Sequence, residues 1–440
     1  MSKEGLSEEE YLEARPGLVR PDLDGRPVKI YGWVHEIRDL GSLVFLLLRD
    51  RTGLCQVVFN RSKVGEDVRR ILDSLTRESV VKVYGVVAVT PQARLGIEMK
   101  GERIELLARA AARLPYEVTG KVQASMTTRL DHRILDLRKP ENTAIFLIAD
   151  TVFDAIREYL RGEGFTEVRT PKIIATATEG GAALFRVDYF GRTAYLAQSP
   201  QLYKEELVTV FERVFEIGPF FRAEASHTRR HVSEFTSVDI EAAYMNYEDV
   251  MQVLERLVVH VFKRVAEERR GELERLGVNL RVPRAPFPRI TYDAALKELS
   301  EMGHAKEWGG DLETTDLRLL AKKHTGFYFI THFPTSIKPF YIQPCDSNPA
   351  LSESFDLMYQ WLELASGGTR ISDKSLLVRR LEEQGLNPES FKHHTAVYDY
   401  GMPVHAGWGL GFERLLMVIT RRTNIRDVIL FPRDRFRLTP

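Results

Sequence analysis

The 440-residue chain is poor in cysteine, in net charge and in long apolar runs. Its two cysteines, Cys55 and Cys345, form no CxxC pair and stand in no Cys/His cluster. That excludes a structural zinc site of ordinary spacing and points to a reducing compartment. No run of about 18 apolar residues occurs, so no membrane span is expected. The opening stretch, MSKEGLSEEEYLEARPG, is acidic and lacks the apolar core of a secretory leader, so the expected location is cytoplasmic. The 62 basic residues are matched by 62 acidic ones, and residues 1–110 hold 18 Lys/Arg against 17 Asp/Glu. Bulk charge therefore advertises no nucleic acid, and any such contact must rest on local patches. Neither GxxxxGK[ST] nor GxGxxG is present, which disfavours a P-loop or Rossmann nucleotide site. Internal repeats and low-complexity tracts are absent.

What is present is a soluble globular composition, 44% hydrophobic and 28% charged, in a chain long enough for two or three domains. From about residue 27 the pattern has period two. In PVKIYGWVHEIRDL, Val28, Ile30 and Val34 alternate with Lys29, Tyr31, Trp33 and His35. Strand-like runs follow at SLVFLLLRD, GLCQVVFN, VVKVYGVVAVT and GIEMKGERIELL, with a helical VGEDVRRILDSL between the third and fourth strands. That order is the OB-fold, an all-β barrel, here expected over residues 1–109. Tyr31, Trp33 and His35 would share its outer face, which suits base stacking, although an ordinary barrel surface would read the same. Residues 110–140 are polar and poorly periodic, contain Pro115 and Pro140, and read as a hinge or linker.

Residues 141–440 read as an α+β domain. Ile145, Ile148, Val152, Ile156 and Leu160 recur at helical steps that Gly162 and Gly164 stop. A second helix is expected from Glu248 to about Glu268, with Asn246 as its N-cap. Strand-like runs without regular βαβ alternation imply an antiparallel sheet. Three segments place charge in apolar strand contexts. Arg222 sits within PFFRAE and should be buried and paired, with Glu224 or Asp239 or with an anionic ligand. HAGWGLGFERLLMVIT runs from glycines into a helix starting near Glu413 and Arg414, a place that favours phosphate. LELASGGTRISD offers Glu363, Ser366 and Arg370, a carboxylate and hydroxyl suited to a hard cation. Each signal alone is weak.

In order, Thr170-Pro171-Lys172, FRAE at 221–224 and GLGFER at 409–414 resemble the three signature motifs of class II aminoacyl-tRNA synthetases. ATATEGGA (175–182), LAQSPQLYK (196–204), KPFY (338–341), SFDLMY (354–359) and NIRDVILFPRD (424–434) resemble the archaeal and eukaryotic form of the aspartyl/asparaginyl branch. The resemblance covers nearly the whole chain. It implies an N-terminal anticodon-binding OB-fold, an antiparallel catalytic sheet, a homodimer, and ATP used with Mg²⁺ to activate an amino acid and attach it to tRNA.

The resemblance also implies roles. Arg222 would hold the α-phosphate and the amino-acid carboxylate, Arg414 the far phosphates, and Glu363 would complete the catalytic set. Ala223, Glu224, Arg230, His231 and Val232 would frame the nucleotide, with Gly411, Phe412 and Glu413 lying against it. Glu363 and Ser366 match the magnesium ligands. Glu179 would take the ammonium, and Lys204 and Arg370 the side-chain carboxylate, with Gln201 and Ser366 nearby. Two cations around a neutral amide would leave charge uncompensated, so L-aspartate is expected over asparagine. An asparagine enzyme is the alternative, as is an inactive tRNA-binding relative, which should have lost Arg222, Glu363 or Arg414. TRISD departs from the more usual QREH while keeping Arg370. Phe45 and Gln56 match residues that meet the central anticodon uridine. Members restricted to tRNA-Asp tend to have tryptophan and lysine at the positions of His35 and Arg94, and relaxed members histidine and proline. His35 is the relaxed choice and Arg94 keeps the cation, and the expectation is that both tRNA-Asp and tRNA-Asn are accepted.

Overall fold

A computed structural model describes residues 6–93, 96–120, 122–175, 184–223 and 228–440. The chain forms two compact units, Met1–Thr143 and Ala144–Pro440. None of the described helices is long and apolar enough to cross a membrane.

The first unit contains β1 (Leu12–Ala14), β2 (Pro27–Asp39), β3 (Leu43–Asp50), β4 (Gly53–Asn60), β5 (Val80–Val89) and β6 (Ile97–Ala108), with α1 (Glu66–Ser74) between β4 and β5. β2 pairs with both β3 and β5, and β6 joins β4 to β5, so strands β2 to β6 close into a barrel. The OB-fold order is borne out. Inward residues Val28, Ile30, Val34, Leu46, Val57 and Val83 are fully buried. Gly101 is required where the wall closes on the core, because a Cβ there would lie 2.5 Å from the Phe59 ring.

Alternation fails at His35. Val34 pairs with Leu48 and Glu36 with Leu47, which leaves His35 as the extra residue of a bulge. Tyr31 and Trp33 remain exposed, but His35, expected beside them, is only 7% exposed. Its Nδ1 lies 2.8 Å from Arg49 Nη1. Arg49 forks onto the Glu78 carboxylate at 2.9 and 2.6 Å, and Arg138 Nη1 reaches the same group at 2.8 Å. Burial pushes the Glu78 carboxyl up, but His35, Arg49 and Arg138 outweigh it and hold it at about 2. A depressed carboxyl stabilises the fold above its unfolded pKa near 4.5 and loses that contribution as pH falls toward 2. Glu78→Gln should therefore cost on the order of 3 kcal/mol at neutral pH. Urea unfolding of the full chain checks this, and the gap to wild type should narrow below about pH 4.5.

The residues expected as a linker fall within the first unit. They contain α2 (Met126–Asp131) and α3 (Arg133–Leu137), too short to show helical periodicity. Their organiser is polar, since the fully buried Asp136 accepts from Tyr116 Oη at 2.9 Å, Arg129 Nε at 3.0 Å and Arg133 Nη1 at 2.6 Å. A hydrophobic pattern cannot reveal such a hub.

α4 (Pro140–Gly162) leads into the second unit, whose strands are β7 (Thr166–Glu167), β8 (Ile173–Ile174), β9 (Arg186–Tyr189), β10 (Arg192–Leu196), β11 (Arg213–Phe221), β12 (Glu234–Ala243), β13 (Arg289–Thr291), β14 (Phe327–Thr331), β15 (Pro344–Cys345), β16 (Asn348–Ser352), β17 (Ser354–Tyr359), β18 (Leu362–Thr369) and β19 (His405–Gly411). Its helices are α5 (Gln201–Phe211), α6 (Tyr247–Glu268), α7 (Arg270–Arg275), α8 (Tyr292–Glu301), α9 (Thr314–Leu320), α10 (Lys374–Glu383), α11 (Lys392–Tyr398) and α12 (Phe412–Thr420). The main sheet runs β13-β14-β17-β18-β19-β12-β11-β7, antiparallel except at its two outer pairings. The expected α+β class holds. The helix start expected at Asn246 is also found, with the Asn246 side chain accepting from Glu248 and Asp249 backbone N–H groups. α4, α6 and α12 pack their apolar faces on one side of the sheet, where Trp408, Leu410, Ile240 and Phe355 are fully buried. The opposite side carries the polar residues and is open.

Candidate active site

The open side of the sheet is a cleft of about 390 Å³. Period two explains its lining along β12, where Ser237, Asp239 and Glu241 share one face while Val238 and Ile240 enter the core. β18 needs a second device. Glu363 and Ser366 are three residues apart and would face opposite ways on a regular strand. A bulge at Leu364, with Leu357 opposite Ala365 and Met358 opposite Glu363, brings both into the cleft.

One end of the cleft is cationic. Arg222 follows β11, with its guanidinium carbon 5.4 Å from the Phe235 ring centre. Arg414, in the first turn of α12, donates to the Glu363 carbonyl at 2.9 Å and lies 3.5 Å from its carboxylate. Arg230 stacks 4.9 Å over Trp361 and donates to Thr314 Oγ1 at 2.6 Å. Burial and then the neighbouring Arg414 lower the Arg230 pKa. His231 Nδ1 lies 2.8 Å from Thr228 Oγ1. The buried Arg426 braces this loop from beneath, donating to the Thr228 carbonyl at 2.9 Å and to Asp434 at 2.6 Å. Surroundings that exclude water push the Glu363 carboxyl up, but Arg414, Lys338, Arg222 and Arg230 outweigh this and hold it low. Asp356, opposite Ser366, is raised by burial and by Glu363 against the opposing Lys338, whose Nζ is 2.9 Å away. Glu413, buried and receiving the Thr236 N–H at 3.0 Å, is pushed up by burial to about 7.

The other end alternates charge. Lys204 Nζ contacts Asp239 at 3.0 Å, Glu241 at 3.4 Å and the Trp408 carbonyl at 3.4 Å. Arg370 Nε donates to Glu241 at 3.0 Å, and its Nη2 lies 3.5 Å from Gln201 Oε1. Asp239 lines the cleft and keeps Oδ2 buried without a hydrogen-bond partner among the described residues. Gly409 leaves room for this carboxylate, since a Cβ there would lie 3.1 Å from Asp239 Oδ1.

The structure thus brings together Arg222, Arg230, His231, Val232, Glu363, Ser366, Arg370, Gln201, Gly411, Glu413 and Arg414 as cleft lining. One expectation is corrected. Phe412 turns into the core, 3% exposed and stacked 3.9 Å from Phe153, because one step along the start of α12 reverses the face. Lys204 is 2% exposed and lies behind Asp239 rather than on the cleft wall. Ala223 is not among the lining residues, and Glu179, Glu224 and Arg94 fall outside the described residues. The sequence reading missed Asp239, Lys338 and Asp356 as site groups. The polar alternation Ser237-Asp239-Glu241 was the available signal for the first.

In the first unit, Phe45 and Gln56 lie on neighbouring strands and share a face, Phe45 opposite Val58 and Gln56 opposite Leu47. Gln56 Nε2 donates to Glu98 at 3.1 Å.

The family description "tRNA synthetases class II (D, K and N)" matches residues 125–435, and "OB-fold nucleic acid binding domain" matches residues 28–107. An Aspartate–tRNA(Asp/Asn) ligase of Methanopyrus kandleri is 52% identical over 96% of this chain and 98% of its own length. One from Archaeoglobus fulgidus is 50% identical over the same shares. Among solved structures, the asparaginyl-tRNA synthetase of Pyrococcus horikoshii complexed with asparaginyl-adenylate superposes with a TM-score of 0.91 at 36% identity, covering 96% of this chain and 98% of that one. Matched across both units, the chain belongs to the class II tRNA synthetases of the aspartate, lysine and asparagine branch.

Proposed function

We propose that this enzyme activates L-aspartate with ATP and transfers it to tRNA, accepting both tRNA-Asp and tRNA-Asn. The observation that carries the amino-acid assignment is Asp239 Oδ2, without a hydrogen-bond partner among the described residues and set beside Arg370 and Lys204. An aspartate ammonium fits that oxygen and its side-chain carboxylate the guanidinium of Arg370, the cation that lines the cleft, whereas the neutral amide of asparagine would forgo that charge-assisted contact. In the reaction, the aspartate α-carboxylate oxygen bonds to the α-phosphorus of ATP as the bond to pyrophosphate breaks. A terminal ribose hydroxyl of the tRNA then takes the aspartyl group and releases AMP. The carboxylate is already ionised at neutral pH, so the residues position and neutralise rather than remove a proton.

Arg222 is assigned to the α-phosphate and the α-carboxylate, and Arg414, Arg230 and His231 to the outer phosphates. Val232, Gly411 and Glu413 are assigned to the nucleotide, with Phe412 supporting them from the core. Glu363 and Ser366, with Asp356 behind, form a hard oxygen donor set that fits Mg²⁺. Such an ion, when bound, offsets charge on the phosphates. The exposed apolar residues Val210, Phe211, Tyr244 and Val404 support a homodimer.

Pyrophosphate exchange run with aspartate and asparagine side by side tests the assignment. Aspartate should be favoured by about 100-fold or more in kcat/KM, roughly 2.7 kcal/mol. Equal or better exchange with asparagine overturns it. The tRNA assignment is supported by relatives whose names carry both tRNAs. Charging of the two transcripts at equal concentration should differ by less than about 100-fold, since one base contact contributes only ~1–3 kcal/mol. His35 is buried and locked onto Arg49, so His35→Trp should lower barrel stability.

A further inference from the structure

Behind the amino-acid end of the cleft lies a buried charged cluster that the proposed chemistry does not use. Glu205, one turn after Gln201 on α5, is fully buried. Its Oε1 accepts from Gln201 Nε2 at 2.5 Å. Three groups converge on Oε2: Tyr398 Oη at 3.4 Å, His394 Nε2 at 3.5 Å and His405 Nε2 at 3.7 Å. His394 is 2% exposed, and its other nitrogen lies 3.2 Å from Glu206 Oε1.

The chemistry of these atoms fixes an orientation. A carboxylate accepts and never donates, so the Gln201 amide must turn its NH₂ group toward Glu205. Its carbonyl Oε1 then faces Arg370 Nη2 at 3.5 Å. Gln201 and Arg370 both line the cleft. A protonated Glu205 could donate instead, and the amide could turn over and set its NH₂ against the guanidinium.

We propose that His394 and Glu205 are a positioning pair for the amino-acid pocket. The imidazolium keeps Glu205 ionised, Glu205 holds the Gln201 amide in one orientation, and Gln201 with Arg370 presents a fixed receptor to the substrate's side-chain carboxylate. The inference rests on the reading that this pocket binds aspartate. The groups facing His394 are Glu205 and Glu206 from α5, Tyr398 on its own helix and, beyond Glu205, His405 from β19. Lys392, at the start of the same helix, is engaged by Glu389 at 2.7 Å. Burial pushes the His394 imidazole down, but the two glutamates outweigh it and lift it to about 9. A raised imidazole is charged below that pH and loses its charge as pH rises through it.

The test compares the wild-type enzyme with His394→Phe and Glu205→Gln in pyrophosphate exchange. Both variants should raise KM for aspartate about tenfold, the loss expected for one oriented hydrogen bond. KM for ATP should stay within about twofold. The double variant should match the worse single variant, because both act through the same amide. Wild-type KM for aspartate should hold steady as pH falls toward neutral, whereas in His394→Phe, which lacks the imidazolium, it should worsen as pH falls and Glu205 takes up a proton. By NMR, His394 should titrate near 9 in wild type and fall toward its ordinary value in Glu205→Gln. An unchanged aspartate KM in folded variants, equal losses for ATP and aspartate, or ordinary titration of wild-type His394 overturns the positioning role. Absence of any aspartate-dependent exchange in the wild type overturns the functional reading instead, and the titration still judges the pair.

Discussion

Replacing Arg222 by alanine is expected to slow aspartate-dependent pyrophosphate exchange by about 100-fold or more while the protein stays folded. A preorganised cation aimed at the charge that develops during phosphoryl transfer is worth roughly 3 kcal/mol or more. Arg222 stands at the end of β11 on the cleft wall, half-buried, with Phe235 supporting its guanidinium at 5.4 Å. Its backbone N–H is held by the Ser233 carbonyl at 2.9 Å, a bond alanine keeps. Truncation of a half-exposed side chain away from the core changes stability by far less than the catalytic loss. Arg230 and Arg414 remain to hold the outer phosphates, so KM for ATP should rise less than kcat falls. Exchange near the wild-type rate by a folded Arg222→Ala protein would remove this residue from the reaction.

The two units differ in how much of them could be read from residues alone. The barrel was legible because Val28, Ile30 and Val34, then the following strands, keep strict period two against a single core. The α6 helix was legible from its apolar face and its Asn246 cap. Two of the places where a functional reading slipped or needed help are bulges. At His35 one extra residue converts an outward position into a buried one, and at Leu364 one extra residue puts Glu363 and Ser366 on the same face. Periodicity assumes the ladder is unbroken and cannot place such a residue. The polar hub at Asp136 and the His394–Glu205 pair escaped for other reasons. The hub lies within residues 116–136 but is polar, which a hydrophobic pattern does not reveal, and the pair joins α5 to α11, far apart in sequence. The motif residues of the cleft were found because the resemblance supplied them, while Asp239, on a plain alternating strand, needed the sheet to show which face it shares.

Lys204→Met is expected to have the second large effect, and its signature separates three roles the side chain could play. The ammonium is 2% exposed and touches Asp239 at 3.0 Å and Glu241 at 3.4 Å. Removing one partner of a buried cluster costs roughly 3–5 kcal/mol when the remaining charge is left uncompensated. Here Arg370 still pairs with Glu241 at 3.0 Å, so the exposed deficit falls on Asp239. Two consequences follow for ligands. Asp239 is no longer held with Oδ2 free, which weakens the ammonium contact of aspartate and asparagine alike. The positive field for a side-chain carboxylate is also halved, and only aspartate feels that loss. KM for aspartate should therefore rise about 100-fold, and the aspartate-over-asparagine ratio in kcat/KM should fall about tenfold, roughly 1.4 kcal/mol. ATP, bound among Arg222, Arg230 and Arg414, should keep its KM within a few-fold. Asp239→Asn is the comparator: it removes the ammonium contact but leaves both cations, so it should weaken both amino acids without lowering their ratio. If Lys204→Met also leaves the ratio unchanged, Lys204 acts only by holding Asp239. If ATP suffers as much as aspartate, its role is structural, and the charge argument for aspartate must rest on Arg370 alone.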